Sequence, residues 1–329
     1  MSHEGEQTRR SPLAARSGLL RRGLMASAAL VMSAPALAID WEQVESSEIR
    51  LFHPGQSSLE ALLDPEFHDE RAVQRFQMGR SCTYCHEGEE AEKGERILGD
   101  RSIEPEEFDG RAGHLDLEVQ AAHDGERLYL RYRWDEGGSA GDPMAPDVQA
   151  RVTSMFTDGS IQESQNAGCW AACHDDLSGM ASDTPDLDLT KYYMHSRTGI
   201  TRSGGGENFR DDAELAQALE AGMFGEYWGA DITGDDSAEG RGGYVLEARH
   251  AHDDPDVNAT VERDGDSFVA EISRPLAGNE TRLALESGNL YHGGFAVHDD
   301  HTEGRFHYVS LNYTLSIDSD EGDVAAMEQ

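Results

Sequence analysis

The sequence predicts a mainly β protein with helical additions, in which a small helical lobe precedes an antiparallel Ig-like β-sandwich that carries a long insertion. Three observations indicate this fold class. After residue 111, apolar and polar residues alternate with a period of two in a series of segments, turn residues separate these segments, and helical periodicity is confined to short stretches. Strands joined by turns favour an antiparallel sandwich over a parallel sheet.

The clearest β signal is a hairpin made of residues 114–121 and 127–134. Asp124 and Gly125, which lie between the two segments, are a typical hairpin turn pair. The remaining predicted strands are residues 148–156, 244–249, 258–263, 268–272, 290–297 and 306–317. We therefore expect the sandwich domain to cover residues 111–329, with an insertion at about 157–238 where the strand pattern is interrupted.

The predicted lobe covers residues 39–110 and contains one clear helix, at 69–78. Ala72, Val73 and Phe76 lie on one face of this helix, and Gly79 ends it. Residues 87–95, behind the helix, are predicted to be a charged loop.

The insertion contains one further predicted helix, at residues 211–221. Asp211 is the expected N-cap, Glu214 completes a capping box three residues later, and Gly222 ends the helix.

Residues 1–38 have the pattern of a cleaved export signal. An Arg-rich start is followed by an apolar run at 24–34 and by Ala36-Leu37-Ala38, an A-x-A cleavage site. An uncleaved anchor is the alternative, but the apolar run is too short to span a bilayer. We expect cleavage after Ala38, a periplasmic location and no stable membrane insertion of the mature chain.

The charge composition excludes one class of partner. The chain has 64 acidic and 27 basic residues, a net charge of −37, and only two of the basic residues are Lys. Since phosphate recognition depends on Lys and Arg, nucleic acid is not an expected partner. The acidic residues are spread along the whole chain, which favours adaptation to high salt over an acidic patch for one basic partner.

The first cysteine motif is Cys82-Thr83-Tyr84-Cys85-His86, a C-x-x-C-H sequence. Two thiols on one turn can add to the two vinyl groups of a haem, and the adjacent His can then bind the iron. In an exported chain this motif predicts haem c bonded to Cys82 and Cys85 with His86 as a ligand, ahead of a zinc site or a redox dithiol.

The second motif has one more residue between its cysteines, Cys169 and Cys173, and again a His directly after them, His174. The same chemistry predicts a second covalent haem here, so that the expected cofactors are two haem c groups. A Cys169–Cys173 disulfide beside a non-covalent haem, or a vacant site, is the alternative at this motif.

Low-spin electron-transfer haems need a second axial ligand, Met or His. For the first haem we expect His68, which precedes the attachment helix, followed by Met78 and His53. For the second haem the candidates, in order of preference, are His307, Met180, Met155 and His195. A single Met or His can equally be part of the core or of a hydrogen-bond network.

Several segments resemble the ethylbenzene-dehydrogenase-related haem-binding family. They are residues 53–58 (HPGQSS), 82–90 (CTYCHEGEE), 119–125 (VQAAHDG) with 128–131 (LYLR), 168–176 (GCWAACHDD), and 296–299 (AVHD) before 307–310 (HYVS). This resemblance implies the β-sandwich found in γ subunits of DMSO-reductase-family molybdoenzymes and in stand-alone periplasmic dihaem c-type cytochromes. In the γ subunits a Met and a Lys hold a b-type haem. Here His307 stands at the position equivalent to the Lys, which fits the stand-alone branch.

The predicted function is that of a periplasmic dihaem c-type cytochrome with no catalytic residues. It would carry single electrons between a membrane quinol-oxidising donor and a periplasmic or membrane reductase. The alternatives are a haem reductase or peroxidase with one open axial site, a haem-based sensor, and an electron-transfer subunit of a molybdoenzyme complex.

Overall fold

A large β-sheet forms the framework of the computed structural model, which describes residues 39–53, 58–63, 65, 68–98, 112–136, 148–172, 193–198, 209–299 and 307–329. The predicted export signal lies outside the described residues. The strands are β1 (Ser46–Phe52), β2 (His114–His123), β3 (Arg127–Asp135), β4 (Ala150–Thr157), β5 (Gly225–Gly234), β6 (Ser237–Val245), β7 (Arg249–Ala251), β8 (Asn258–Asp264), β9 (Ser267–Pro275), β10 (Leu290–Asp299), β11 (Tyr308–Ser310), β12 (Tyr313–Ile317) and β13 (Val324–Glu328).

The strand order is β7-β6-β5-β4-β10-β11-β1-β2-β3-β9-β8, and β12 and β13 link β10 to β2. All pairs are antiparallel except β12–β13 and β13–β2. The two ends of the sheet face each other, because β5 and β6 pack against β8 and β9 without strand pairing. The buried apolar side chains of both halves fill the space between them. The predicted fold class, an antiparallel β-sandwich with helical additions, is confirmed.

The helices are α1 (Ser58–Leu63), α2 (Glu70–Gln77), α3 (Cys82–His86), α4 (Glu90–Leu98), α5 (Gln162–Ala167) and α6 (Asp212–Glu220). Short 3-10 helices occur at Trp41–Gln43, Gly168–Ala171 and Met194–Ser196. In the described ranges, no helix has the length and apolarity needed to cross a bilayer.

The predicted hairpin and the two predicted helices are confirmed. Asp124 accepts hydrogen bonds from the backbone N–H groups of Glu126 and Arg127 at the β2–β3 turn. In α2, Asp69 caps the first turn, and Gly79 follows the last turn with φ +86°.

The α2 face is also as predicted, since Ala72, Val73 and Phe76 are half-buried. Asp211 and Glu214 form the expected capping box of α6.

The predicted charged loop at residues 87–95 is wrong, because α4 occupies most of it. The segment consists mainly of strong helix formers, and Glu89 and Lys93 form an i,i+4 ion pair at 3.1 Å on its first turn. Packing fixes its place. A Cβ on Gly94 would lie 1.7 Å from the carbonyl oxygen of Gly113, so only glycine permits this approach of α4 to the start of β2.

Two boundaries also differ from the prediction. Residues 46–52, within the predicted lobe, form β1 and pair with β2 and β11 in the main sheet. Residues 225–234, within the predicted insertion, form β5, so the inserted segment ends before residue 225. The single strand expected at 244–249 is instead the end of β6 and the start of β7.

A buried ion pair stabilises the sandwich at β5. The Glu226 carboxylate accepts hydrogen bonds from Nη2 of Arg274, at 2.9 Å, and from the backbone N–H of Leu283, at 2.7 Å. Both charged side chains are almost completely buried. Such a pair stabilises a fold mainly because losing one partner leaves the other charge buried and uncompensated.

Replacing Arg274 with Met is expected to lower the free energy of unfolding by about 3–5 kcal/mol, measured by denaturant titration. Arg133→Met is a matched control, because it breaks an exposed pair with Asp264 that has a similar N–O distance, 2.7 Å. Its expected cost is about 0–1 kcal/mol. Equal losses in the two variants would show that the buried pair has no special role.

Candidate functional site

A cavity of about 230 Å³ lies between the helices α1 to α4 and the end of β1. Its lining combines apolar side chains with two cysteines, two histidines and several charged groups. The apolar residues are Phe52, Ala61, Leu62, Ala72, Phe76, Ile97, Trp170 and Leu311, and the others are Ser58, His68, Arg75, Arg80, Ser81, Cys82, Cys85, His86, Glu89, Glu92, Lys93 and Arg96. The first cysteine motif and the preferred distal ligand therefore border one cavity.

Helix α3 presents the first motif to this cavity. Ser81 caps the helix by accepting a hydrogen bond from the backbone N–H of Tyr84 at 3.2 Å. Cys82 and Cys85 consequently lie on one helical turn, with His86 directly after them. Neither cysteine forms a disulfide with another described residue, Cys85 is exposed, and burial raises the pKa of the Cys82 thiol to about 12.

His86 and His68 face each other across the cavity. Their ring centroids are 5.9 Å apart and the ring planes are inclined by 78°. Nδ1 of His86 lies 2.8 Å from Oε2 of Glu89, and Nδ1 of His68 lies 2.8 Å from the carbonyl oxygen of Ala61. A carboxylate and a carbonyl oxygen only accept hydrogen bonds, so in each ring Nδ1 is the donor and Nε2 is the nitrogen that remains to bind a metal.

The Glu89 carboxylate is an ion at neutral pH. Hydrogen bonds from His86 and Lys93 lower its pKa to about 2. Both donors bind the same oxygen, Oε2, at 2.8 and 3.1 Å. The carboxylate therefore holds the His86 ring in one orientation and in one tautomer.

Two relatives align with almost the entire chain. Cytochrome c-552 of Stutzerimonas stutzeri is 32% identical over 327 residues, which cover 94% of this chain and all of the relative. The chain belongs to this c-type cytochrome family. Cytochrome c-551 of Rhodocyclus tenuis is 26% identical over 296 residues, 89% of this chain and all of the relative.

No protein-family model matches the chain. A family 9 carbohydrate-binding module from Caldicellulosiruptor kristjanssonii, solved with cellotriose, covers 65% of this chain and 75% of its own at 10% identity. Its TM-score of 0.28 is too low to support an argument about this cytochrome.

The residues around the cavity fit a haem c. Two thiols and a histidine stand on one wall, as covalent attachment requires. His68 and His86 both line this cavity, with ring centroids 5.9 Å apart, and imidazole nitrogens are ligands that would bind the iron of a haem. In this acidic chain the cavity also collects Arg75, Arg80 and Arg96. Guanidinium groups match the carboxylates of a haem.

The two other distal candidates named for this site do not line the cavity. Met78 caps the C-terminus of α2 and is 75% exposed. His53 is buried at the end of β1, where its backbone N–H donates to the carbonyl oxygen of Gly113 and its ring contacts Tyr308 edge-on. Of the three candidates, the structure brings only His68 to the first motif.

The second motif starts in the 3-10 helix Gly168–Ala171, which packs against the central strands β4, β10 and β11 of the sheet. Cys169 is buried, and burial raises the pKa of its thiol to about 12. It belongs to an apolar cluster that also contains Met155, Val309 and Leu311. Cys173, His174 and Met180 lie outside the described residues.

One face of β4 and β10 connects Cys169 with two of the proposed distal ligands. Gly294 of β10 pairs with Met155 of β4, and a Cβ on Gly294 would lie 3.1 Å from the backbone nitrogen of Cys169. His298 lies on the same face of β10, four residues further along. Its ring stacks on that of His307 at 4.3 Å and 13°. Met155 and His307 therefore share a sheet face with Cys169.

The ring of His195 takes part in hydrogen bonds within the protein. Its Nδ1 lies 3.1 Å from a carboxylate oxygen of Glu163, and its Nε2 lies 2.9 Å from the carbonyl oxygen of Met223. Both ring nitrogens are thus engaged with acceptors, which removes His195 from the set of candidate ligands.

Sequence reasoning missed Glu89 and Trp170. Glu89 follows the motif histidine by three residues, and this spacing within a short turn could have indicated a hydrogen bond to the His86 ring. Trp170 follows Cys169 directly, yet its side chain lines the cavity of the first motif. No local pattern indicates that contact, because it depends on how two distant segments pack.

Glu89→Gln is expected to raise the midpoint potential of a haem bonded at Cys82 and Cys85. The negative carboxylate on the His86 Nδ1 proton favours the more positive ferric state, and its loss should shift the potential by on the order of 50 mV, about a tenfold change for one electron. Spectroelectrochemical titration measures this shift.

Glu92→Gln is the matched control, because Glu92 lines the same cavity and the variant removes the same charge. We expect a clearly smaller shift in this variant. Equal shifts would mean that the charge acts at a distance and that the hydrogen bond to His86 contributes nothing.

Proposed function

We propose that this chain is a periplasmic dihaem c-type cytochrome that carries single electrons. The observation that supports it best is the pair His68 and His86, whose rings line one cavity and each donate a hydrogen bond from Nδ1 to an acceptor of the protein. A bound haem would supply reversible one-electron chemistry. Cys82 and Cys85 would hold it covalently, and the imidazoles of His86 and His68 would bind its iron.

This arrangement favours a carrier over a haem enzyme. Peroxidases and reductases need an iron that substrate can reach, whereas a haem held by both His68 and His86 would leave no such position at the first site. The hydrogen bonds to Ala61 and Glu89 also hold both rings in place, so that little rearrangement is needed when the charge of the iron changes. Rigid ligation of this kind suits repeated electron transfer.

At the second motif we propose covalent attachment through Cys169 and Cys173, with His174 as proximal ligand. The buried, apolar setting of Cys169 supports it, because a porphyrin requires such surroundings. His307, Met180 and Met155 are the proposed sources of the distal ligand. Met155 and His307 are favoured among these residues, because they share a sheet face with Cys169.

The finer family assignment is part of the same proposal. The sandwich fold and the position of His307 agree with the stand-alone dihaem branch of the ethylbenzene-dehydrogenase-related haem-binding family. We propose that the chain acts as a separate carrier of this branch, and that it is not a subunit of a molybdoenzyme.

For partners we propose a membrane quinol-oxidising donor and a periplasmic or membrane reductase. Exposed apolar side chains near the first motif in the sequence support contact by a small apolar patch, since Met78 and Tyr84 are 75% and 60% exposed and Cys85 is exposed. Arg80 lies over the Tyr84 ring at 4.3 Å. A short-range apolar contact would also remain effective at high ionic strength, where charge steering is screened.

Intact-mass spectrometry of the matured protein is expected to give the mass of the mature chain plus two haem groups. Cys82→Ser with Cys85→Ser should remove one haem, and Cys169→Ser with Cys173→Ser should remove the other. A mass with one haem, unchanged by the second pair of substitutions, would contradict the dihaem proposal.

Replacing His68 with Ala is expected to open one axial position. The reduced wild-type protein should show no spectral change with carbon monoxide at this haem, whereas His68→Ala should bind it rapidly and should lose a low-spin ferric signal in EPR. Met78→Ala is the control, because Met78 is exposed and outside the cavity. A low-spin signal that survives His68→Ala and disappears in Met78→Ala would reverse the ligand assignment.

A further inference from the structure

The two cysteine motifs meet at one short stretch of chain, Leu311-Asn312, between β11 and β12. On one side, Oδ1 of Asn312 accepts hydrogen bonds from the backbone N–H and the hydroxyl of Thr83, at 3.4 and 2.9 Å. Thr83 lies between the two cysteines of the first motif. The first attachment helix is therefore tied directly to this stretch.

On the other side, the second motif packs against the same two residues. Gly168, with φ +62°, immediately precedes Cys169. A Cβ on Gly168 would lie 2.4 Å from the carbonyl oxygen of Leu311 and 2.7 Å from Cα of Asn312. Only glycine permits this approach, so the backbone that leads to Cys169 lies in contact with the residue that holds Thr83.

A further hydrogen bond joins the helices that lead into the two motifs. Nδ2 of Asn166 in α5 donates to the carbonyl oxygen of Phe76 in α2 at 3.0 Å. Asn166 is almost completely buried. Cys169 belongs to a buried apolar cluster, and Cys82 packs against the same cluster. Groups bonded to these two cysteines are consequently held close together.

Trp170 occupies the boundary between the two motifs. Its backbone is bonded to Cys169, whereas its side chain lines the cavity of the first motif. The indole ring meets Phe52 edge-on, with centroids 5.2 Å apart and an interplanar angle of 88°. The ring thus has a defined orientation between the thiol of one motif and the cavity of the other.

We propose that Trp170 is the contact through which electrons pass between the two haems, and that Asn312 positions the two attachment segments. The inference rests on the proposed function, because it requires haem at both motifs. One electron leaves a ferrous iron and reduces the ferric iron of the other site. No bond forms or breaks, no proton is transferred, and Trp170 supplies orbitals without being oxidised itself.

The test is the rate of electron equilibration between the haems after rapid one-electron reduction of the fully oxidised protein. Trp170→Leu is expected to slow this step about tenfold, the equivalent of about 1.4 kcal/mol in the barrier. Trp170→Phe, which keeps an aromatic ring, should slow it less. Trp41→Leu is the control for losing an indole, because Trp41 is far from the motifs in sequence and outside the cavity lining.

Midpoint potentials and optical spectra are measured in each variant, and they should stay unchanged if only the path is altered. An unchanged rate in Trp170→Leu would overturn the inference while leaving the two haems intact. A wild-type mass with one haem would overturn the proposed function and the inference together, so the two failures are distinguishable.

Asn312 provides a second test that does not alter the aromatic contact. Asn312→Ala removes the acceptor of both Thr83 hydrogen bonds and should slow equilibration, whereas Asn312→Asp keeps an oxygen acceptor and should restore the rate. A purely structural role would lower the melting temperature of Asn312→Ala without changing the rate. That result would contradict the positioning role.

Discussion

The structure depends most on a constraint at one cavity: two imidazole rings are held 5.9 Å apart, centroid to centroid, by hydrogen bonds at Nδ1. Each acceptor belongs to a different local element. Ala61 in α1 orients His68, and Glu89, between α3 and α4, orients His86. Because the acceptors fix the tautomer, the protein itself determines which nitrogen can bind a metal. The N-caps Asp69 and Ser81 fix the helices between these two rings.

The β-sandwich keeps this arrangement rigid. Helix α4 lies against β1 and β2 through the close approach of Gly94 to Gly113, and β1 ends at Phe52 in the cavity wall. The second motif packs against strand β10 of the same sheet. Asn312 then joins both motifs over a sequence separation of 229 residues from Thr83. One scaffold thus sets the distance between two sites that are far apart in the sequence.

Local chemistry explains what could be predicted from the sequence. The β2–β3 hairpin, α2 and α6 are specified by their own turn and cap residues, such as Asp124 and Asp211, and these elements were predicted correctly. The C-x-x-C-H motif and His68 could be chosen as candidates from short segments of sequence, and the structure brings them to one cavity. Strand β5 was missed because Glu226 and Asp231 interrupt its apolar pattern.

Those two charges are tolerated in β5 only because Arg274 and Arg151, from other strands, pair with them. Likewise, no sequence pattern places Trp170 in the cavity of the first motif or Asn312 between the two motifs, since both contacts arise from tertiary packing. The prediction of a charged loop at residues 87–95 was wrong for a related reason. Packing of α4 on the sheet completes helix formation there.

The most direct test of the central claim is the near-infrared magnetic circular dichroism spectrum of the oxidised, matured protein. The ligand-to-iron charge-transfer band of a low-spin ferric haem differs in energy between two imidazole ligands and an imidazole with a thioether. The arrangement of His68 and His86 predicts a band of the bis-imidazole type. A spectrum that contains only imidazole–thioether or high-spin ferric bands would contradict it.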